Sequence, residues 1–138
     1  GGVMEASARG ARAFGGASVG VTTGAFSFRS GPNPFIDTEV RTADLYDRTR
    51  RLIEGAVAFI ILPGKSGTLS ELAFLWALQR AGLLGPKPIV LLGEMWRDLI
   101  PELERLGLIG EVELAATRLA RTPDEAVRIV SSALTGER

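Results

Sequence analysis

Phe59-Ile-Ile-Leu-Pro-Gly-Lys-Ser-Gly-Thr-Leu-Ser-Glu71 is the stretch whose reading decides the fold. The apolar run from Ala56 to Leu62 is too short to cross a bilayer and has the character of a strand covered on both faces, as strands of parallel sheets are. Pro63 ends it. Gly64 and Gly67 bracket Lys65 and Ser66, which predicts backbone at positive φ that can approach a ligand closely, and Thr68 opens an apolar helix. A strand turning through glycine into a helix gathers free N–H groups and the positive end of a helix dipole at one place, an arrangement that holds phosphate. Glycine also serves such turns for sterics alone, so at this point both readings stand.

Outward from that turn, Thr68 to about Gly82 is predicted to be a helix with Leu69, Leu72, Ala73, Trp76 and Ala77 on one face and Phe74 and Leu78 on another. A helix apolar nearly all round is buried on two sides, by its sheet and by neighbouring helices or a second subunit. Glu71 lies in its narrow polar stripe. Thr68-x-x-Glu71 fits a capping box, with the carboxylate accepting the Thr68 N–H; equally, it places a carboxylate one turn into a helix whose start could cradle phosphate. On the other side, Thr42 to Gly55 is predicted as an amphipathic helix with Thr42 as its N-cap and Leu45, Leu52 and Ile53 inward. Arg48 falls on the flank of that apolar stripe, although a solvated pair with Asp44 at i,i+4 fits the spacing too.

The remaining chain supplies more alternation. Val3 to about Phe14 has helical periodicity and stops at Gly15-Gly16, and Ala17 to Thr22 reads as a short strand. Gly24 to Thr38, with Gly31-Pro-Asn-Pro34 at its centre and Phe26, Phe28 and Phe35, reads as an irregular loop. Such loops act as binding loops or lids, or are pinned to the core by their aromatics. Lys87 to Leu92 predicts a second fully buried strand, followed by a helix over about Met95 to Leu106 anchored by Trp96 and Leu99, with Pro101 kinking it or starting a second segment. Ala115 to Ala120 reads as a last short strand. Thr122-Pro-Asp-Glu125 is a strong helix start, and the helix runs from Ala126 to Leu134 and ends at Gly136. Strands alternating with helices predict a doubly wound parallel sheet with helices on both faces, in a single domain over residues 1–138.

Composition narrows the chemistry. Sixteen basic and sixteen acidic residues cancel, which argues against a broad nucleic-acid footprint or an acidic lipid surface. The sequence has neither Cys nor His, so Ser-His-Asp and Cys-His nucleophile systems, disulfides and the usual zinc and iron sites are excluded together. Without a signal peptide or a long apolar span, the expectation is a cytoplasmic protein with no membrane partner.

Gly1-Gly-Val-Met-Glu-Ala6, then Gly10-Ala11 and Gly15-Gly16, then Pro63-Gly-Lys-Ser-Gly-Thr-Leu-Ser-Glu71, resemble the Lonely Guy family and its Rossmann-like superfamily. The family pattern is Pro-Gly-Gly-x-Gly-Thr-x-x-Glu, with an arginine 23 residues before the glutamate, where this chain has Arg48. The resemblance runs from residue 1 to about 106. It implies a nucleoside 5′-monophosphate phosphoribohydrolase that cleaves the N-glycosidic bond to free base and ribose 5-phosphate. Arg48 and Glu71 are then the catalytic pair, Gly1, Gly2, Gly64, Lys65, Ser66, Gly67 and Thr68 the phosphate-binding residues, and the helix over 68–82 the interface of a homodimer. No cofactor and no metal are implied. Gly31-Pro-Asn-Pro-Phe35 is similar to a segment of the branch containing molybdenum-cofactor carriers, so a non-catalytic carrier or sensor of a phosphorylated ligand is the alternative.

Three departures bear on substrate rather than fold. Lys65 replaces the second glycine of the pattern, Thr49 stands where cytokinin-type members have lysine, and Ser70 stands where an acid commonly precedes the glutamate. Members of the superfamily are often labelled lysine decarboxylases, but neither Lys65 nor Lys87 sits in a pyridoxal-phosphate signature. In relatives a strand, a helix and a second strand precede the position of Gly1-Gly2, so the resemblance also implies a domain that is N-terminally incomplete over these 138 residues.

Overall fold

A computed structural model of the chain describes residues 2–24 and 33–136. The chain divides into two compact units, Gly1–Gly55 and Ala56–Arg138. In the first, helix α1 (Val3–Ala13) is followed by strands β1 (Val19–Thr23) and β2 (Thr38–Thr42) and helix α2 (Leu45–Glu54). The two strands pair in parallel with Val21 opposite Val40, and α2 packs on both. In the second, β3 (Phe59–Ile61), α3 (Ser66–Arg80), β4 (Ile89–Leu92), α4 (Glu94–Arg105), α5 (Glu111–Ala116), β5 (Thr117–Ala120) and α6 (Pro123–Thr135) follow in turn. Their strands form a parallel sheet in the order β3-β4-β5. Parallel strands with helices packed on them in both units, and joined by helices in the second, are the Rossmann-like α/β fold that the alternation predicts.

The structure corrects several local expectations. β2 falls where the sequence reads as the end of a loop and a helix cap. Thr38-Glu-Val-Arg-Thr42 carries one apolar residue, and only pairing with β1 makes it a strand, a case of tertiary context overriding a weak pattern. Thr42 accordingly spends its hydroxyl across the sheet, donating to Thr22 O at 2.7 Å, and Asp44 caps α2 by accepting from Asp47 N at 2.8 Å. β3 is shorter than the Ala56–Leu62 run and stands at the end of the strand order, so Ile60 remains 40% exposed. The strand buried on both faces is β4, whose Ile89, Val90 and Leu91 are inaccessible. α3 buries Leu72, Leu75 and Trp76 and leaves Leu69 and Phe74 about half exposed. Ile100 joins Trp96 as the buried anchor of α4 while Leu99 is only half-buried, and the helix runs through Pro101. α5, absent from the sequence reading, occupies the start of the predicted Ala115–Ala120 strand.

The second unit is locked around Glu113. This buried carboxylate accepts Arg80 Nε at 2.7 Å and Nη2 at 2.8 Å, tying the end of α3 to α5, and also accepts Gly110 N at 2.8 Å as part of the α5 cap. Trp76 Nε1 donates to Thr117 Oγ1 at 2.8 Å beside it. The hydrogen bonds from Arg80, aided by Gly110 N–H, hold the Glu113 carboxyl down at about 2. A depressed folded-state pKa stabilises above the unfolded value, near 4.5, and that stabilisation fades as pH falls toward 2. Glu113→Gln should therefore cost about 2 kcal/mol at pH 7, and the difference from the parent chain should shrink steadily below pH 4.5 in urea melts. A pH-independent difference would show that the charge contributes nothing.

Candidate active site

The turn after β3 is held rigidly from both ends. Pro63 lies against Gly93 at the end of β4: a Cβ on Gly93 would stand 2.8 Å from Pro63 Cγ, and the Gly93 backbone has φ of 125°. Gly93 N in turn donates to Ala120 O at 3.1 Å, so the carboxyl ends of β3, β4 and β5 are laced together. Ligands of open α/β sheets bind at such strand ends.

Gly64 and Gly67 do not take the positive φ that the sequence suggested. The requirement at Gly64 is close approach. A Cβ there would sit 2.8 Å from Thr68 Cβ and closer still to its hydroxyl, so the Thr68 side chain covers the glycine backbone. Gly67 faces open space, which leaves room beside the turn. Extended Lys65 is the N-cap of α3 and supplies no side-chain bond to it, so the first N–H groups, those of Ser66, Gly67 and Thr68, meet no capping side chain. The helix begins two residues earlier than Thr68.

That earlier start removes the capping-box reading of Glu71. The third residue of α3 is Thr68, and Glu71 lies a full turn farther in, where no free N–H of the first turn is within a capping box's reach. It is half-buried, beside the buried Leu72 and one turn before the buried Leu75. Ser70 Oγ donates to Gly67 O at 2.7 Å instead, so the residue standing where relatives carry an acid supports the turn.

In the other unit, half-buried Arg48 extends onto β1, its Nε donating to Val21 O at 2.9 Å. Asp44, its alternative solvent partner, is engaged as the α2 cap. Thr23, the last residue of β1, is buried and its Oγ1 has no hydrogen-bond partner among the described residues, which marks a polar group at a strand end that periodicity gives no means of finding. Gly2 caps α1 with φ of 98°, as the glycine-turn reading requires, and offers no side chain to the helix start. Gly1 lies outside the described residues, as do Phe26, Phe28, Gly31 and Pro32. What is described of the Gly-Pro-Asn-Pro-Phe segment is a structural clamp. Asn33 Oδ1 accepts Phe35 N at 3.0 Å, Pro34 O accepts Arg12 Nη1 at 3.1 Å, and Phe35 O accepts Ser18 Oγ at 2.6 Å. Among the described residues, no three acidic side chains converge to hold a metal ion.

The structure thus gathers Gly64, Lys65, Ser66, Gly67, Thr68 and Glu71 on one turn and the first turns of one helix, within Ala56–Arg138; Gly2 and Arg48 belong to Gly1–Gly55. A family model described as "possible lysine decarboxylase" matches residues 4–130. Among curated proteins, the chain is similar to a cytokinin riboside 5′-monophosphate phosphoribohydrolase of Mycobacterium tuberculosis, 38% identical over 90 residues. That alignment covers 64% of this chain and 46% of the relative, so the chain spans about half of the protein it matches.

Proposed function

Because this chain belongs to the Lonely Guy family, to which the description "possible lysine decarboxylase" is attached, we propose that it carries the catalytic half-sites of a nucleoside 5′-monophosphate phosphoribohydrolase. The observation that carries this reading is the position of Glu71, a half-buried carboxylate beyond the first turn of a helix whose N-cap residue supplies no side-chain hydrogen bond. The N–H groups of Ser66, Gly67 and Thr68, with the Gly64 backbone, Lys65 and those of Gly1 and Gly2, grip the 5′-phosphate. Arg48 orients and neutralises the nucleotide.

The reaction adds water across the C1′–N bond. As that bond lengthens, electrons leave with the base and positive charge grows on the anomeric carbon; the Glu71 carboxylate stabilises this charge and draws a proton from the incoming water. The water oxygen becomes the C1′ hydroxyl of ribose 5-phosphate, and the proton that Glu71 took passes on to the departing base, which leaves neutral and restores the carboxylate. Neither a redox partner nor a second substrate enters the balance. The decarboxylase description of the family finds no support in Lys65, exposed in the phosphate turn, or in Lys87, at the opposite end of the sheet. Exposed Leu69, Ala73, Phe74 and Ala77 on α3 support a homodimer that covers this face, and the cytoplasm is the compartment we assign.

Release of free base from a nucleoside 5′-monophosphate, with the matching nucleoside left intact, tests the reading. Gly64→Ala should raise KM for the monophosphate at least tenfold, because overpacking against Thr68 shifts the N–H groups of the turn. An unchanged KM would remove this turn from the phosphate site.

A further inference from the structure

At the end of the three-stranded sheet opposite the Gly64 turn, a cleft of about 680 Å³ opens within Ala56–Arg138. Its walls are the approach to β4 (Lys87, Pro88, Ile89), the junction of α5 with β5 (Arg118) and the later turns of α6 (Arg128, Ile129). The volume lies within the usual range for small-molecule sites, and the lining has their composition, mostly apolar with a few polar groups.

Its charge is what singles it out. Lys87, Arg118 and Arg128 line the cleft and no acidic residue does, in a chain whose charges balance overall at 16 against 16. Arg118 and Arg128 bring like charge to one concave, apolar surface, and an anion bound between them relieves their repulsion; low-dielectric walls concentrate the field. Arg118 is braced for such a role. Its Nη1 donates to Ala115 O at 3.2 Å, fixing the guanidinium at the mouth of the cleft. Arg128 makes no ion pair or hydrogen bond among the described residues, although Asp124 stands one turn before it on α6.

We propose that this cleft is a second ligand site, for an organic anion whose phosphate or carboxylate is held by Arg118 and Arg128 and whose apolar part lies against Pro88, Ile89 and Ile129. It is separate from the Gly64 turn and does not depend on the hydrolase reading. The experiment is an amide-resolved NMR titration of the full chain with phenyl phosphate, benzoate, inorganic phosphate and phenol. One of the two aromatic anions should shift the amides of Ile89, Arg118, Arg128 and Ser132 and bind at least tenfold tighter than inorganic phosphate or phenol; which of them does so names the anionic group. Arg118→Ala with Arg128→Ala should weaken that binding at least tenfold without altering shifts at Ser66, Gly67 and Thr68, and the double lysine variant should retain it within a few-fold. Both arginines are exposed, so an unchanged amide pattern elsewhere verifies the fold. Shifts confined to the Gly64 turn, equal affinity for inorganic phosphate, or undiminished binding by the double alanine variant would overturn the proposal.

Discussion

Glu71→Ala is expected to lower kcat for cleavage of a nucleoside 5′-monophosphate about 10³-fold, equivalent to roughly 4 kcal/mol of transition-state stabilisation, while changing substrate binding only a few-fold. The asymmetry follows from the chemistry. Positive charge on the anomeric carbon exists in the transition state and not in the bound substrate, so a carboxylate aimed at it contributes to kcat and little to affinity. In the proposed site the phosphate is held by other groups, the backbone of Gly64 to Thr68, so binding should survive the substitution. Glu71→Gln separates charge from shape: it keeps the size and an acceptor, and should lose nearly as much as alanine. A loss below tenfold for both variants, measured by initial rates of base release, would leave Glu71 a structural residue.

The largest effect on stability is expected at Trp96. It is 1% exposed on the first turn of α4, directly after the Gly93 turn that braces Pro63. Truncation to alanine should cost about 3–5 kcal/mol, from lost burial and the cavity left behind, a large share of a typical domain's stability. Its indole Nε1 is buried without a hydrogen-bond partner among the described residues, so the ring keeps its place through packing while forfeiting the N–H. Trp96→Phe should therefore be far milder, about 1 kcal/mol, because removing an unsatisfied donor offsets part of the lost area. Urea midpoints for the two variants decide this; equal losses would show that Nε1 does contribute.

How far the sequence could be read depended on where each signal originates. α6 was fully legible, since Thr122, Pro123, Glu125 and Gly136 act locally: the Thr122 side chain accepts Glu125 N at 3.2 Å and Gly136 closes the helix at φ of 72°. β2 and α5 were not, because nothing within Thr38–Thr42 or Glu111–Ala116 announces the partner that fixes it: β1 for the first, Arg80 on Glu113 for the second. The turn after β3 is legible through its glycines, but their conformation is not. Gly64 is demanded by contact with Thr68 four residues on, a through-space condition, and not by its own φ. Thr68-x-x-Glu71 matches a capping box only if α3 begins at Thr68; an N-terminus at Ser66 cancels the match. Arg48 was placed on the flank of α2 by angle alone, and its bond to Val21 O shows the guanidinium turned to the sheet.

The claim at the centre of this account, that the protein hydrolyses the N-glycosidic bond of a nucleoside 5′-monophosphate, is tested most directly by chromatographic analysis of its products on a panel of such monophosphates. Free base and ribose 5-phosphate are expected in equal amounts from at least one of them, with none from the corresponding nucleoside. Binding of the monophosphates without any release of base would contradict it and make the protein a carrier or sensor of a phosphorylated ligand.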